Sequence, residues 1–332
     1  MKFIISGYFD AGFSIGIDDF PFADPVVIAS LNRQSDFSVK YNKPADQYAF
    51  AEELTKAEYA YSDAEGHIGL SVPIGAGLEI DLRGSALLKH LHEEALQAAA
   101  DPKFMGSYYA DPPPGIVDII RSFQAEAGFL KAVVNLYGLG IGYLYIESAE
   151  LSKELENYAL WIYRCYEYAT YGTYSSGEFR NGFRKSVAEI YASFSKRDGI
   201  EQITRRRIPC DFFPGYQVVL MCTKPGDVTC AEKVLDGYDE FTPIRMDDGN
   251  IQLGWAAAIV EPVNEDYVTR ILFLLKMAQV YYGICDGFER LFSYHISQSV
   301  RENLSGDASL YDAVSLNRLR TIAHTVAEYT RF

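Results

Sequence analysis

The stretch Ile251–Pro262 (IQLGWAAAIVEP) leads into a long apolar segment with helical periodicity, from about residue 266 to residue 299. We predict a strand for the first part, and its terminal proline with Asn264 supplies the break and the N-cap for the helix that follows. A continuous helix of that length would extend roughly 50 Å at 1.5 Å per residue. We therefore expect it either to protrude toward a partner or to break, at Gly283 or at Asp286-Gly287.

The rest of the chain predicts an α+β fold around this segment. A last helix over 316–329 would fold back on the long one and form a C-terminal helical hairpin. Before residue 82, short apolar runs between turn formers predict a β-rich, antiparallel part, closed by a helix that begins at Ser85 and ends near Ala100. These runs are FIISGYF, GFSIGI, VVIASL, DFSVKY, HIGLSV and GLEIDL.

Residues 111–115 (DPPPG) form the clearest break in the chain, because three successive prolines fit neither a helix interior nor a sheet ladder. We place a domain boundary there, between a β-rich N-terminal domain (1–110) and an α+β domain (116–332), and a single composite domain stays open. The second part predicts a mixed sheet with covering helices. Its expected elements are a helix over 116–127, a hairpin around 138–140, a helix from Ser148 to Tyr171, a helix carrying Phe179 to Phe194, and a hairpin turn at Asp248-Gly249.

The composition of the chain makes several classes of function and location less probable to start with. The net charge of -15 and pI near 4.8 argue against a chain that coats nucleic acid over its whole surface, although they allow a local basic site. Lys276 and Gln279 interrupt the most apolar window, so we expect no transmembrane segment. Five cysteines without a CxxC pair, and an N-terminus without a signal-peptide core, predict a reducing, cytoplasmic location.

Motifs for catalysis are missing. Gly138, Gly140 and Gly142 lie between two strand-like runs, whereas a dinucleotide loop leads from a strand into a helix, so we interpret them as turn or bulge glycines. No GxSxG elbow accompanies the five histidines. The sequence therefore favours a protein that is not an enzyme and has no cofactor.

The densest group of possible metal ligands is His90, His92, Glu93 and Glu94. On a helix, only His90 and Glu94, four residues apart, could share an ion. Two ligands do not make a site, so we predict a solvated polar face and no metal.

A basic segment spans residues 180–207, where eight bases and three acids leave a local charge of +5. Guanidinium groups bind phosphate with two hydrogen bonds, which makes this segment a candidate for a phosphate, nucleotide or nucleic-acid site. Pairing with the chain's own acidic surface, or contact with an anionic membrane, would use the same residues. The candidate ligand-binding residues are Arg180, Arg184, Arg205, Arg206 and Arg207.

The long helix carries Gly283 and Gly287, small residues four apart that let a second helix approach closely. Large aromatic side chains surround them, and such residues are enriched at interfaces. Our leading hypothesis is therefore a homo-oligomer, or a protein with a helical protein partner, that acts by protein–protein interaction through its C-terminal helices. An anionic ligand or nucleic acid at residues 180–207 is the alternative. The candidate interface residues are Tyr281, Tyr282, Gly283, Gly287, Phe288 and Phe292.

Overall fold

A computed structural model provides the fold of this chain. It describes residues 1–10, 13–14, 24–42, 56–58, 71–73, 77–101, 112–137, 141–171, 178–195, 204–205, 217–222, 242–246, 249–254 and 257–262, and in the C-terminal part residues 268–269, 271–276, 278–279, 283, 293 and 297.

Six helices have described bounds: α1 (Pro25–Gln34), α2 (Ala86–Ala100), α3 (Ile116–Glu126), α4 (Lys153–Glu156), α5 (Ala159–Tyr171) and α6 (Glu178–Ser195). Residues 268–269, 271–276 and 278–279 are also helical, and we call these described residues α7; residues 283, 293 and 297 are helical as well. The predicted final helix over 316–329 lies outside the described residues. No helix in the described part of the chain is long and apolar enough to cross a membrane.

Nine strands form one mixed sheet in the order β11-β12-β13-β10-β1-β8-β7-β6-β3. β10 and β13 are parallel and the other neighbours are antiparallel. The α+β class is thus confirmed, whereas the mixed sheet is not confined to the second part of the chain as predicted. Strands from both sides of the segment 111–115 hydrogen-bond in this sheet. The strands of the sheet are β1 (Lys2–Asp10), β3 (Ser38–Asn42), β6 (Gly77–Asp81), β7 (Phe129–Tyr137), β8 (Ile141–Ser148), β10 (Gln217–Cys222), β11 (Thr242–Met246), β12 (Gly249–Leu253) and β13 (Ala257–Pro262).

Two short pairs lie outside the main sheet. β2 (Phe13–Ser14) pairs with β9 (Thr204–Arg205), and β4 (Lys56–Glu58) pairs with β5 (Ser71–Pro73).

The predicted strand VVIASL is wrong, because these residues belong to α1. Asp24 caps the helix by accepting hydrogen bonds from the backbone amides of Val26 and Val27, and Pro25 occupies the first turn, where its missing N–H costs nothing. Val27 and Leu31, one turn apart, reach the core. The cap and this helical spacing outweigh the strand preference of the β-branched residues.

Two further boundaries differ from the prediction. Ser148 is the last residue of β8 and accepts a hydrogen bond from the Phe3 amide, while Ser152 caps α4 instead. The predicted strand IQLGWAAAIV is divided into β12 and β13, which are antiparallel neighbours. At the predicted Asp248-Gly249 turn, Gly249 is already a strand residue and pairs with Met246. The two residues between them lie outside the described part of the chain.

Other local predictions are confirmed. Ser85 caps α2 by accepting a hydrogen bond from the Leu88 amide, and α3 occupies the predicted segment after the prolines. β7 and β8 form the predicted hairpin. The expected apolar positions of α6 are all buried: Phe179, Phe183, Val187, Ile190 and Phe194.

The main sheet has two different faces, since successive side chains of a strand alternate between them. One face carries apolar residues such as Phe9, Val134 and Leu144, and it forms the main core with residues from all six helices with described bounds. The opposite face carries aromatic and polar residues and is approached by α7. This second face contains the candidate site.

Candidate ligand site on the polar face of the sheet

A row of directly opposed residues crosses five strands of the polar face. The register pairs Tyr8 with Tyr143, Tyr143 with Asn135, Asn135 with Glu79, and Glu79 with Lys40. Directly opposed residues project from the same face of a sheet, so these side chains are neighbours. All except Lys40 are at most 9% exposed, which places hydroxyl, amide and carboxylate groups in a buried layer.

The side chain of Lys276 extends from α7 onto this layer. Its Nζ lies 5.9 Å from the ring centres of both Tyr137 and Tyr143. An ammonium group at that distance from an aromatic face is attracted by the ring quadrupole. The two tyrosines belong to β7 and β8, so the β7–β8 hairpin provides the surface on which the lysine rests.

Burial lowers the pKa of the Lys276 amine to about 8. The negative charge of Glu79 acts in the opposite direction, and the positive charge of Lys131 lowers the pKa further. The amine is therefore still largely charged at neutral pH, in a place where water solvates it poorly.

Three carboxylates described on this face, those of Glu79, Asp81 and Glu147, are engaged elsewhere. Asp81 pairs with Arg83 at 2.6 Å. Glu79 lies 3.0 Å from Lys40 Nζ and accepts a hydrogen bond from Asn42. Glu147 pairs with Lys2 at 2.5 Å and accepts a hydrogen bond from the Tyr145 hydroxyl at 2.6 Å. Lys276 has no carboxylate within 4.0 Å among the described residues, so its charge lacks a direct counter-ion there.

Two uncharged polar groups next to Lys276 also lack hydrogen-bond partners within the described part of the chain. Gln279, three residues further along α7, is 6% exposed, and neither its amide nitrogen nor its amide oxygen is hydrogen-bonded. The buried hydroxyl of Tyr137 makes no hydrogen bond either, and burial raises its pKa well above the usual range. The Tyr143 hydroxyl differs, because the side chain of Ser6 bonds to it.

Buried polar groups in folded proteins are nearly always hydrogen-bonded, to protein or to a bound molecule. A primary amide and a phenol without hydrogen-bond partners among the described residues, beside an ammonium without a carboxylate within 4.0 Å there, therefore mark a place where another molecule could supply them. The three groups offer hydrogen-bond donors, and the two tyrosine rings offer an apolar surface beside them. Such a combination suits a small molecule with an anionic group.

The residues predicted as a basic site are not brought together by the described structure. Arg180 is half-buried and Arg184 is exposed on α6, where each makes interactions within the chain. Arg205 is in β9, opposite Phe13. Arg206 and Arg207 lie outside the described residues.

Of the predicted interface residues, Gly283 is described, and it is helical and buried. Tyr281, Tyr282, Gly287, Phe288 and Phe292 lie outside the described residues. Their participation in an interface stays a prediction.

Sequence reasoning missed the candidate site. Lys276 and Gln279 served only as arguments against a membrane span, and the hairpin served only as a hairpin. One signal was present: Asn135 and Tyr137 in β7, and Tyr143, Tyr145 and Glu147 in β8, place polar or amphipathic residues at every second position. That alternation marks a face that is not an ordinary apolar core.

Comparison with known proteins adds no functional assignment. The chain matches no protein-family model, no curated protein and no solved structure.

Proposed function

We propose that this protein binds a small anionic ligand between the polar face of the sheet and α7, with Lys276 as the charged partner. The observation that carries the proposal is the half-buried Lys276 amine, which lies on two tyrosine rings and has no carboxylate within ion-pair distance among the described residues. A buried charge is stable only when it is paired or hydrogen-bonded. A carboxylate or phosphate oxygen of a ligand would provide that partner.

The neighbouring groups fit the same ligand. The amide nitrogen of Gln279 and the hydroxyl of Tyr137 are donors that can bond to further oxygens of one anion. The rings of Tyr137 and Tyr143 would contact an apolar part of the ligand. The ligand chemistry is thus a carboxylate or phosphate attached to a small apolar group.

Calorimetric titration with two probes, succinate and inorganic phosphate, tests the proposal and separates the two anion types. We expect wild-type protein to bind at least one probe, and Lys276→Met to weaken that binding at least tenfold, because a charge-assisted hydrogen bond to a buried anion is worth roughly 1.5–3 kcal/mol. Lys89→Met is the matched control, since Lys89 is 77% exposed on α2. It should leave binding unchanged.

Two outcomes contradict the proposal. Wild-type protein that binds neither probe at millimolar concentration would indicate that ordered water alone satisfies these groups. Equal weakening by Lys276→Met and Lys89→Met would indicate an effect of total charge instead of a site. A double change, Arg205→Ala with Arg207→Ala, separates this site from the basic segment, because it should not affect an anion held by Lys276.

Self-association through the C-terminal helices stays our proposal for how copies of the chain interact. Leu274 of α7 supports it modestly, because this side chain is 48% exposed beside the buried Phe273. Light scattering at micromolar concentration tests it, and a monomeric mass would count against it. The result is independent of the ligand titration.

A further inference from the structure

A second polar cluster lies on the helical side of the molecule, where α2 meets the start of α6. His90 and Glu93 come from successive turns of α2, and Glu178 is the first residue of α6. His90 Nδ1 lies 3.1 Å from Glu178 Oε2 and 3.5 Å from Glu93 Oε2. One ligand atom from each residue falls within 4.8 Å of the other two.

The surroundings of His90 Nδ1 are unusual for a histidine nitrogen. This nitrogen is buried and close to two carboxylates, yet it makes no hydrogen bond to any described residue. Atoms that bind one zinc ion at about 2.0–2.2 Å lie roughly 3.0–3.5 Å from each other, depending on the coordination angle. The two distances from His90 Nδ1 agree with that separation.

Glu94 provides a second, independent observation. It is 8% exposed, and its Oε1 accepts a hydrogen bond from the Phe179 amide at 2.8 Å, which holds the carboxyl group at the start of α6 beside Glu178. Its Oε2 is buried without a hydrogen-bond partner in the described part of the chain. Its charge interacts with those of His90 and Glu178, and burial raises its pKa. A buried carboxylate oxygen without a partner there thus belongs to a side chain close enough to His90 and Glu178 for their charges to interact.

We propose that His90, Glu93 and Glu178 bind a divalent transition-metal ion of the zinc class. An imidazole nitrogen and carboxylate oxygens are ordinary ligands for such ions, and three protein ligands leave a coordination position for water. The two positive charges of the ion would balance the carboxylates of Glu93 and Glu178. The ion would also join α2 to α6, two helices that pack against each other in the core.

Calorimetric titration of the full chain with zinc chloride, after treatment with a chelator, tests the site. The two diagnostic variants are Glu178→Gln, at a side chain that is 80% exposed, and His90→Gln. Glu189→Gln is the matched control, because Glu189 is 66% exposed on the same helix and distant in sequence from the cluster. Cobalt absorption spectra of the same proteins report the ligand set directly.

We expect one zinc ion per chain, a rise in melting temperature with zinc, and affinity at least tenfold weaker in both diagnostic variants but unchanged in the control. Wild-type protein that takes up no zinc at 100-fold molar excess would overturn the proposal. Zinc uptake that Glu178→Gln and His90→Gln both retain would also overturn it, since the ion would then bind elsewhere in the chain.

Discussion

The amine of Lys276 lies 5.9 Å from the ring centre of Tyr137, whose own hydroxyl makes no hydrogen bond with any described residue. The packing of α7 on the sheet therefore places a half-buried charge beside a buried hydroxyl group that has no hydrogen-bond partner among the described residues. Such an arrangement lowers stability when no ligand is bound. Because these polar groups lower the stability of the folded protein, replacing Lys276 or Gln279 with an apolar residue is expected to raise the free energy of unfolding.

Lys276→Met is expected to raise the free energy of unfolding at pH 7, by on the order of 1 kcal/mol or more, because each unit of pKa difference corresponds to about 1.4 kcal/mol. The folded-state pKa, about 8, is below the ordinary value of 10.5. The cost of the charged amine is therefore complete below pH 8 and is relieved as the pH rises from about 8 toward 10.5. Urea unfolding at pH 7, 8.5 and 10 should show the advantage of the variant shrinking. A difference that does not depend on pH would contradict the assignment.

Gln279→Leu is expected to stabilise the protein by about 1 kcal/mol, because it removes a buried amide without partners. Gln124→Leu is the matched comparison, and we expect it to change stability in the opposite direction. The amide of Gln124 donates hydrogen bonds to the His92 carbonyl and the Tyr166 hydroxyl, both at 3.0 Å, so its loss should destabilise the protein by about 1–2 kcal/mol. Thermal unfolding of both variants is the measurement. Destabilisation of similar size in both would mean that Gln279 has partners in the folded protein.

Gly142→Ala is expected to destabilise the protein by about 1–3 kcal/mol or more through overpacking. A Cβ atom on Gly142 would lie 2.1 Å from Cζ of Phe9, the residue directly opposite it in β1. Phe9→Leu shortens that side chain, so the double variant should lose clearly less stability than the two single changes together. A double-mutant cycle by urea unfolding measures this coupling. Simple additivity would show that Phe9 is not the obstacle.

His92→Gln is expected to make stability less sensitive to acid. Burial lowers the pKa of His92 below 6.5, and its Nδ1 lies 2.7 Å from the Tyr166 hydroxyl, to which Gln124 also donates a hydrogen bond. The unfolded chain takes up the proton more readily, so this contribution to stability is present above about pH 6.5 and is lost as the pH falls. Unfolding free energies at pH 7.5 and 5.5 should differ more for wild-type protein than for the variant. An equal decrease in the unfolding free energy of both proteins between pH 7.5 and 5.5 would count against a neutral His92 in the folded protein.

Local sequence signals predicted the elements that local chemistry controls. Ser85 begins α2 because its hydroxyl satisfies an orphan amide, and the three- and four-residue spacing from Phe179 to Phe194 produces a helix with one buried side. Where a nearby signal was overlooked, the prediction failed. The Asp24-Pro25 pair before VVIASL is a helix start, although the residues that follow favour strands.

These signals grouped His90 with Glu93 and Glu94 on one helix, but they could not complete either candidate site. Lys276 is more than 130 residues from Tyr137 and Tyr143, and Glu178 is 84 positions beyond Glu94 in the chain. No periodicity within one element connects such residues. Only the packing of α7 on the sheet and of α6 on α2 brings them together.

The sequence by itself determined the α+β class, the capped helices and the β7–β8 hairpin, because caps, turns and side-chain periodicity act between residues close in the chain. The tertiary structure alone decided which face of the sheet α7 approaches, and so left Lys276 beside two tyrosines while Glu79 and Glu147 pair with other lysines. Ion pairing and desolvation depend on distances in space, and sequence spacing does not determine those distances.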